Sequence, residues 1–267
     1  MHKILLGGVA LVALMGQALA GDLPSRKEAP VYVAPAPIFT WTGFYVGAHV
    51  GAGFGSSSIN DYYRLALLTG ISGPQSVSPN GGFGGFNVGY NYQIGSWVLG
   101  LDGQFDFGGF TGSGSASYPL GPDVWTLHRS VHANTLGTIG ARLGYAIDNF
   151  LLYAKGGVAF ADWKYADASG DLFCGVYCAS SATGSNSATG WFIGAGVDYA
   201  FANNWSANIE YRYIDFARQT SYLVQSQPWE TIYGSIPLGI ANSLQTVQVG
   251  LTYHFGGAEL APVVAKY

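Results

Sequence analysis

Between residues 41 and 255, apolar and polar positions alternate with a period of two in eight separate stretches, the pattern of β-strands that each present one oily face. The last stretch, Leu244 to Phe255, is the cleanest. Val247, Val249, Leu251, Tyr253 and Phe255 share one face, and Thr246, Gln248, Gly250, Thr252 and His254 share the other. The second face is too small and polar for a protein core, and the strand finishes on an aromatic pair, Tyr253 and Phe255. Those are the marks of a transmembrane β-strand. Such a strand cannot satisfy its backbone in lipid alone, so it requires neighbours and finally a closed barrel.

The neighbours are legible upstream. Strand one carries Phe44, Val46, Ala48, Val50, Ala52 and Phe54 against Tyr45, Gly47, His49, Gly51 and Gly53. Strand two, about 82 to 94, sets Phe86, Val88, Tyr90, Tyr92 and Ile94 outward. Strand three sets Trp97, Leu99, Leu101 and Phe105 against Gly100, Asp102, Gln104 and Asp106. Strand four, about 134 to 147, opposes Ile139, Ala141, Leu143, Tyr145 and Ile147 to Thr138, Gly140, Arg142 and Gly144. In strand five Leu152, Ala154, Val158 and Phe160 oppose Tyr153, Lys155 and Gly157, and the adjacent apolar Leu151 and Leu152 leave its register the least determined. Strand six, about 190 to 201, turns Gly194, Gly196 and Asp198 inward, and strand seven turns in Ser206, Asn208, Glu210 and Arg212.

Gly95-Ser96, Asp148-Asn149 and Asn203-Asn204 are tight turns, and each is flanked by aromatics, namely Tyr92 and Trp97, Tyr145 and Phe150, Phe201 and Trp205. Long segments near 56–80, 108–132, 163–188 and 217–242 alternate with them. The expectation is an all-β, antiparallel up-and-down transmembrane barrel of about eight strands, with an aromatic girdle beside short periplasmic turns, long extracellular loops and both termini periplasmic. A further hairpin, giving ten strands, is the alternative count.

Composition agrees with a membrane wall. Charged residues are 10% of the chain, where a soluble domain carries about a quarter, while hydrophobic residues are 49% and glycines number 40. The formal net charge is −4 and no basic stripe exists, which excludes nucleic acid as a partner. The one continuous apolar run, Ile4 to Met15, is too short to span a bilayer. It follows Lys3 and precedes Ala18-Leu19-Ala20, so residues 1–20 read as a secretory signal peptide. Residues 21–40, with Pro30, Pro35 and Pro37, form an extended periplasmic linker; residues 41–255 are the barrel, and 256–267 a C-terminal tail. In an exported chain Cys174 and Cys178 are expected to close a local loop disulfide.

Several motifs resemble one family. They are W-T-G-F-Y-V-G at 41–47, G-Y-N-Y-Q-I-G-S-W-V-L-G at 89–100, G-A-R-L-G-Y-A-I-D-N-F at 140–150, the strand pair within 190–213 and G-L-T-Y-H-F at 250–255. Together they are similar to the alphaproteobacterial outer-membrane immunogenic proteins, a small-porin family related to the OmpA membrane domain and the opacity proteins. The resemblance covers every strand and spares the loops. It implies a Gram-negative outer-membrane protein with envelope-integrity and host-surface roles, haemin binding in some relatives, and no catalytic machinery. It also implies an aromatic insertion signal for the barrel-assembly machinery. Members commonly stop at the last aromatic, whereas Gly256 to Tyr267 follow here, so the signal is either Phe255, with Tyr253, on the strand itself or the displaced Tyr267, and its place on the strand favours Phe255.

Asp102, Asp106, Arg142, Lys155, Asp198, Glu210 and Arg212 all point to the lumen. They are either a constriction that selects ions or a set of paired charges filling a narrow barrel. An eight-stranded interior is just wide enough for side chains to fill, which favours filling. His128 and His132 could take up haem iron or another metal, yet on an extended strand they lie about 13 Å apart. No Ser-His-acid arrangement supports an enzyme, and no cofactor is expected. The apolar tips of the first and fourth loops either grip a partner such as lipopolysaccharide or a host ligand, or extend the hairpins above the membrane. The favoured function is a non-enzymatic envelope and surface-recognition barrel with a plugged lumen; the alternatives are a narrow porin and loop-mediated haem or ligand binding.

Overall fold

The structure is a computed structural model that describes residues 39–61, 75–120, 123–171, 178–225 and 236–256. The expected signal peptide, all but the end of the linker, Cys174, the apolar tips at 62–74 and 226–235 and the tail after Gly256 lie outside the described residues, as does the side chain of Cys178.

Nine strands are described. They are β1 (Gly43–Asp61), β2 (Gln75–Val77), β3 (Asn80–Ile94), β4 (Trp97–Leu120), β5 (Asp123–Ile147), β6 (Phe150–Asp171), β7 (Cys178–Ala202), β8 (Trp205–Gln225) and β9 (Ile236–His254). From β3 to β9 each strand pairs antiparallel with the next, and β1 pairs with both β3 and β9. The closing register runs from Tyr45↔His254 to Asp61↔Leu238. Eight long strands therefore form a ring, while the three-residue β2 lies on β1 at Ser57↔Val77. Closure leaves no lipid-facing sheet edge, as a backbone in hydrocarbon requires.

The hairpin turns fall at the three expected sites. Gly95 at φ 60° and Asp148 at φ 50° supply the positive φ that matches a two-residue turn to strand twist. The third turn, Asn203-Asn204, is reached through an irregularity between Ala200 and Ala202.

Outward positions match the apolar faces read from the alternation. Leu101 is 69% exposed, and Ile139, Val50, Val249 and Leu251 are also exposed, a surface that only lipid would cover. Toward the tight turns this belt ends in aromatic pairs across neighbouring strands: Trp97 with Tyr145 at 5.2 Å, Phe150 with Tyr199 at 4.7 Å and Trp205 with Tyr253 at 5.2 Å between ring centroids. Phe255, 61% exposed, completes the row beyond the end of β9.

At the opposite end the strands continue through most of the segments read as long loops. There the alternation inverts. On β5 and β6 Val131, Ala133, Trp163 and Tyr165 are buried, whereas His132, Asp162 and Lys164 face out. Pairing irregularities between Phe107 and Phe110 and between Ala133 and Leu136 lie at this transition, and on β5 the bulge moves the inward set from even to odd positions. Above the lipid the wall meets water, so it buries its apolar side chains inside, as a soluble barrel does. A buried apolar cluster including Phe83, Phe110, Val131, Trp163, Phe192, Ile214, Phe216 and Leu244 occupies this part of the interior.

The start of the barrel also differs from the expected Trp41. Pairing begins at Gly43, whose φ of +134° turns the chain, and Trp41 lies inside the barrel, 1% exposed.

Candidate functional site in the barrel lumen

The alternation of the strands sends a polar set into the middle of the barrel, and eight strands bring that set close together. Asp102, Gln104 and Asp106 come from β4, Arg142 from β5, Tyr153 and Lys155 from β6, Asp198 from β7, Glu210 and Arg212 from β8, Thr246 and Gln248 from β9, and Tyr45 and His49 from β1. All are buried. In so shielded a place each charge needs an opposite charge or a hydrogen-bond partner.

Toward the tight turns, Lys155 is the hub. Its Nζ donates to Asp102 Oδ1 at 2.8 Å and to Gln104 Oε1 at 3.0 Å, and it lies 2.9 Å from Glu210 Oε2. The second oxygen of Asp102 accepts from the Tyr45 hydroxyl at 2.9 Å, and Glu210 Oε2 also accepts from the Tyr153 hydroxyl at 2.8 Å. Arg142 pairs with Asp198 at 3.1 Å and lies over the Tyr153 ring, with Cζ 3.6 Å from its centroid.

On the side away from the turns, Arg212 Nη2 donates to Asp106 Oδ2 at 2.7 Å and to Gln248 Oε1 at 2.9 Å, while its Nε donates to Thr246 Oγ1 at 3.2 Å. His49 Nε2 lies 2.6 Å from Asp106 Oδ1, so an N–H there donates to the carboxylate. Gln104 and Gln248 tie the halves together: Gln104 Nε2 donates to Gln248 Oε1 at 2.8 Å, and Gln248 Nε2 to Glu210 Oε1 at 3.2 Å. Each of the four carboxylates faces at least one basic side chain.

The seven charged residues anticipated from the sequence thus sit in one connected neighbourhood. Tyr45, His49, Tyr153, Gln104 and Gln248 share their strand parity, and that is the signal that places them there. The inner glycines make room for these side chains. A Cβ on Gly196 would come 2.6 Å from Cζ of Tyr153, and one on Gly85 would come 2.7 Å from Nε2 of His49.

The remaining candidates lie elsewhere. His128 and His132 both face outward on β5, and His128 Nδ1 is 2.7 Å from Ser115 Oγ. His132 stands between Thr111 and Lys164 in the register. Among the described residues no group of three or more His, Cys, Asp or Glu is placed to hold a metal ion.

The family model described as the outer membrane protein beta-barrel domain matches residues 29–255. The 31 kDa outer-membrane immunogenic protein of Brucella melitensis biotype 1 is 31% identical over 263 residues, covering 96% of this chain and all of that relative. The 22 kDa outer membrane protein of Rhizobium leguminosarum bv. viciae is 28% identical, over 85% of this chain and 83% of its own. Among solved structures, the outer membrane protease OmpT from Escherichia coli aligns with a TM-score of 0.46 at 12% identity, over 81% of this chain and 98% of that one.

Proposed function

That the chain belongs to the outer membrane protein beta-barrel domain family is the premise from which we propose its role: a non-enzymatic surface barrel of the Gram-negative outer membrane that strengthens the envelope and does not conduct. The observation that carries this reading is Arg212, at 0% exposure, with Asp106, Gln248 and Thr246 as partners. A side chain so engaged is a cross-brace between strands, not an ion-selecting ring open to water. Both termini are periplasmic in this reading. The strand extensions face outward, where lipopolysaccharide or a host ligand would meet them, and Tyr253 and Phe255 present the terminal strand to the assembly machinery.

A narrow porin would need open space along the glycine-rich inner face; Gly196 and Gly85 lie beneath Tyr153 and His49, which supports a filled lumen instead. The haem reading rests on two histidines whose strand spacing is about 13 Å, and it gains no third ligand among the described residues.

The test is conductance of the refolded protein in a planar bilayer across several salt concentrations. The expected trace is silent, with folding confirmed on the same sample by heat-modifiable gel mobility. Stable unitary steps that change with Arg212→Ala would make the barrel a pore and overturn the proposal.

A further inference from the structure

The interior carries two apolar layers of different construction, one at each end of the polar network. The layer away from the tight turns is built, among the described residues, from strand side chains. The layer at the turn side is not: Val98, Leu151, Tyr153 and Ala200 supply its wall, and Trp41, with Phe39 packed against it, supplies its centre. Trp41 and Phe39 precede the first residue of β1, so they belong to no rung of the sheet.

The fit is specific. The Trp41 ring meets Phe39 edge-on at 4.8 Å between centroids, and both rings stand 5.5 Å from the imidazole of His254, the last residue of β9. One residue ties the segment down. Gln93, two residues before the first tight turn, accepts the Trp41 backbone N–H on its side-chain Oε1 at 2.9 Å, and its backbone N–H donates to Thr42 Oγ1 at 3.0 Å. Gly43 makes the entry geometrically feasible: a Cβ there would come 2.7 Å from Cα of Gly256, where the two ends of the barrel cross.

We infer that Phe39–Thr42 is a stopper, a piece of the chain's own approach segment seated in the turn-side mouth, and that it seals the Lys155–Asp102–Glu210 network from that side. The sheet does not depend on it. No ladder hydrogen bond breaks when it leaves, and the anchors it gives up are ring contacts and the two bonds to Gln93. Since the linker leads directly into Phe39, tension on the linker acts first on the stopper. This deepens the closed-lumen reading by dividing the closure into a fixed seal built from strands and a removable one built from the approach segment.

The test is thiol accessibility in the full chain with Cys174→Ser and Cys178→Ser. Ala200→Cys reports the sealed wall, and Asn203→Cys, in the exposed third turn, is the reference. With the stopper in place, a membrane-impermeant sulfonated maleimide should label position 200 at least ~100-fold more slowly than position 203, the protection expected of a site reached only by local opening. Phe39→Ala with Trp41→Ala should bring the ratio to within about tenfold. Gln93→Leu, which removes the side-chain half of the tie, the bond to the Trp41 backbone N–H, without touching the rings, should fall between. A ratio near one in the parent, or a ratio unchanged in the variants, overturns the stopper. The parent ratio needs no stopper variant to fold. Conductance of the double variant separates the two claims: a silent bilayer with fast labelling supports both, whereas unitary steps with fast labelling keep the stopper and overturn the strand-built seal.

Discussion

Arg212 and Asp106 approach to 2.7 Å across the barrel, from strands β8 and β4 that share no ladder, and both side chains are wholly shielded. The pair therefore bridges the lumen. A bond of this kind holds opposite walls at one separation, which the ladder hydrogen bonds between neighbours cannot do.

Truncating one partner strips the other of its closest opposite charge, leaving Asp106 with His49, and Arg212 with Gln248, Thr246 and the more distant Glu210. Arg212→Ala should lower unfolding stability by about 3–5 kcal/mol. Asp106→Ala should cost a similar amount, and the double variant much less than the two together. Urea unfolding of the refolded protein, followed by tryptophan fluorescence, gives the coupling. Strict additivity would deny the bridge.

Glycine positions supply a second prediction. Gly196→Val places a side chain against the Tyr153 ring, so it should displace the hydroxyl from Glu210 and cost about 1–3 kcal/mol as overpacking. Gly103→Ala, whose new carbon would lie 3.8 Å from its nearest neighbour, the carbonyl oxygen of Val88, should be nearly neutral. The same urea series reads both.

Leu101, on the outer face, distinguishes lipid from water as its surroundings. Leu101→Arg should destabilise the protein in lipid vesicles by about 2–4 kcal/mol if the residue lies at bilayer depth. A neutral outcome would remove Leu101 from the lipid belt.

Above the belt, where Asp162 and Lys164 face out, Arg129 and Asp167 form a buried bidentate pair at 2.7 and 2.6 Å. Asp167→Ala should speed limited proteolysis of the β5–β6 wall by about tenfold or more through local opening, without changing the heat-modifiable mobility of the barrel. Unchanged cleavage would make the pair dispensable.

Tyr165 offers a pH test in the same wall. Its hydroxyl accepts from Asn242 at 2.8 Å, and burial pushes its pKa up to about 12. Because the folded value exceeds the ordinary one near 10, the stabilisation is full below about pH 10 and is lost as pH rises toward 12. The difference between parent and Tyr165→Phe in spectrophotometric titration should show one phenolate appearing near pH 12. A phenolate appearing near 10 would place Tyr165 in water.

The outer face was readable because lipid admits one kind of side chain, so Leu101, Ile139 and Val249 declare themselves by parity, and the same parity sends Asp102, Lys155 and Arg212 inward. Parity gives a side but neither height nor bearing around the barrel. That Arg212 meets Asp106, or Tyr45 meets Asp102, depends on register and closure, which no single strand encodes. The extended hairpins resemble loops in the sequence for a related reason. Around Val131, Ala133, Trp163 and Tyr165 the apolar face is the inner one, and the outer residues are Asp, Lys and His, so a search for lipid-facing alternation stops at the edge of the bilayer. Trp41 carries inner parity, but only the turn at Gly43 and the tie to Gln93 place it in the mouth.

The inverted wall has a consequence for immune recognition. Thr111, His132 and Lys164 stand in one row across three strands, with Ser115, His128 and Ala168 in another. An antibody binding such rows reads an epitope assembled from three strands, and any continuous peptide copied from one strand carries one residue of each row. Serum raised against the folded barrel should therefore lose this specificity on boiled protein, and synthetic peptides from β5 or β6 should compete poorly for it.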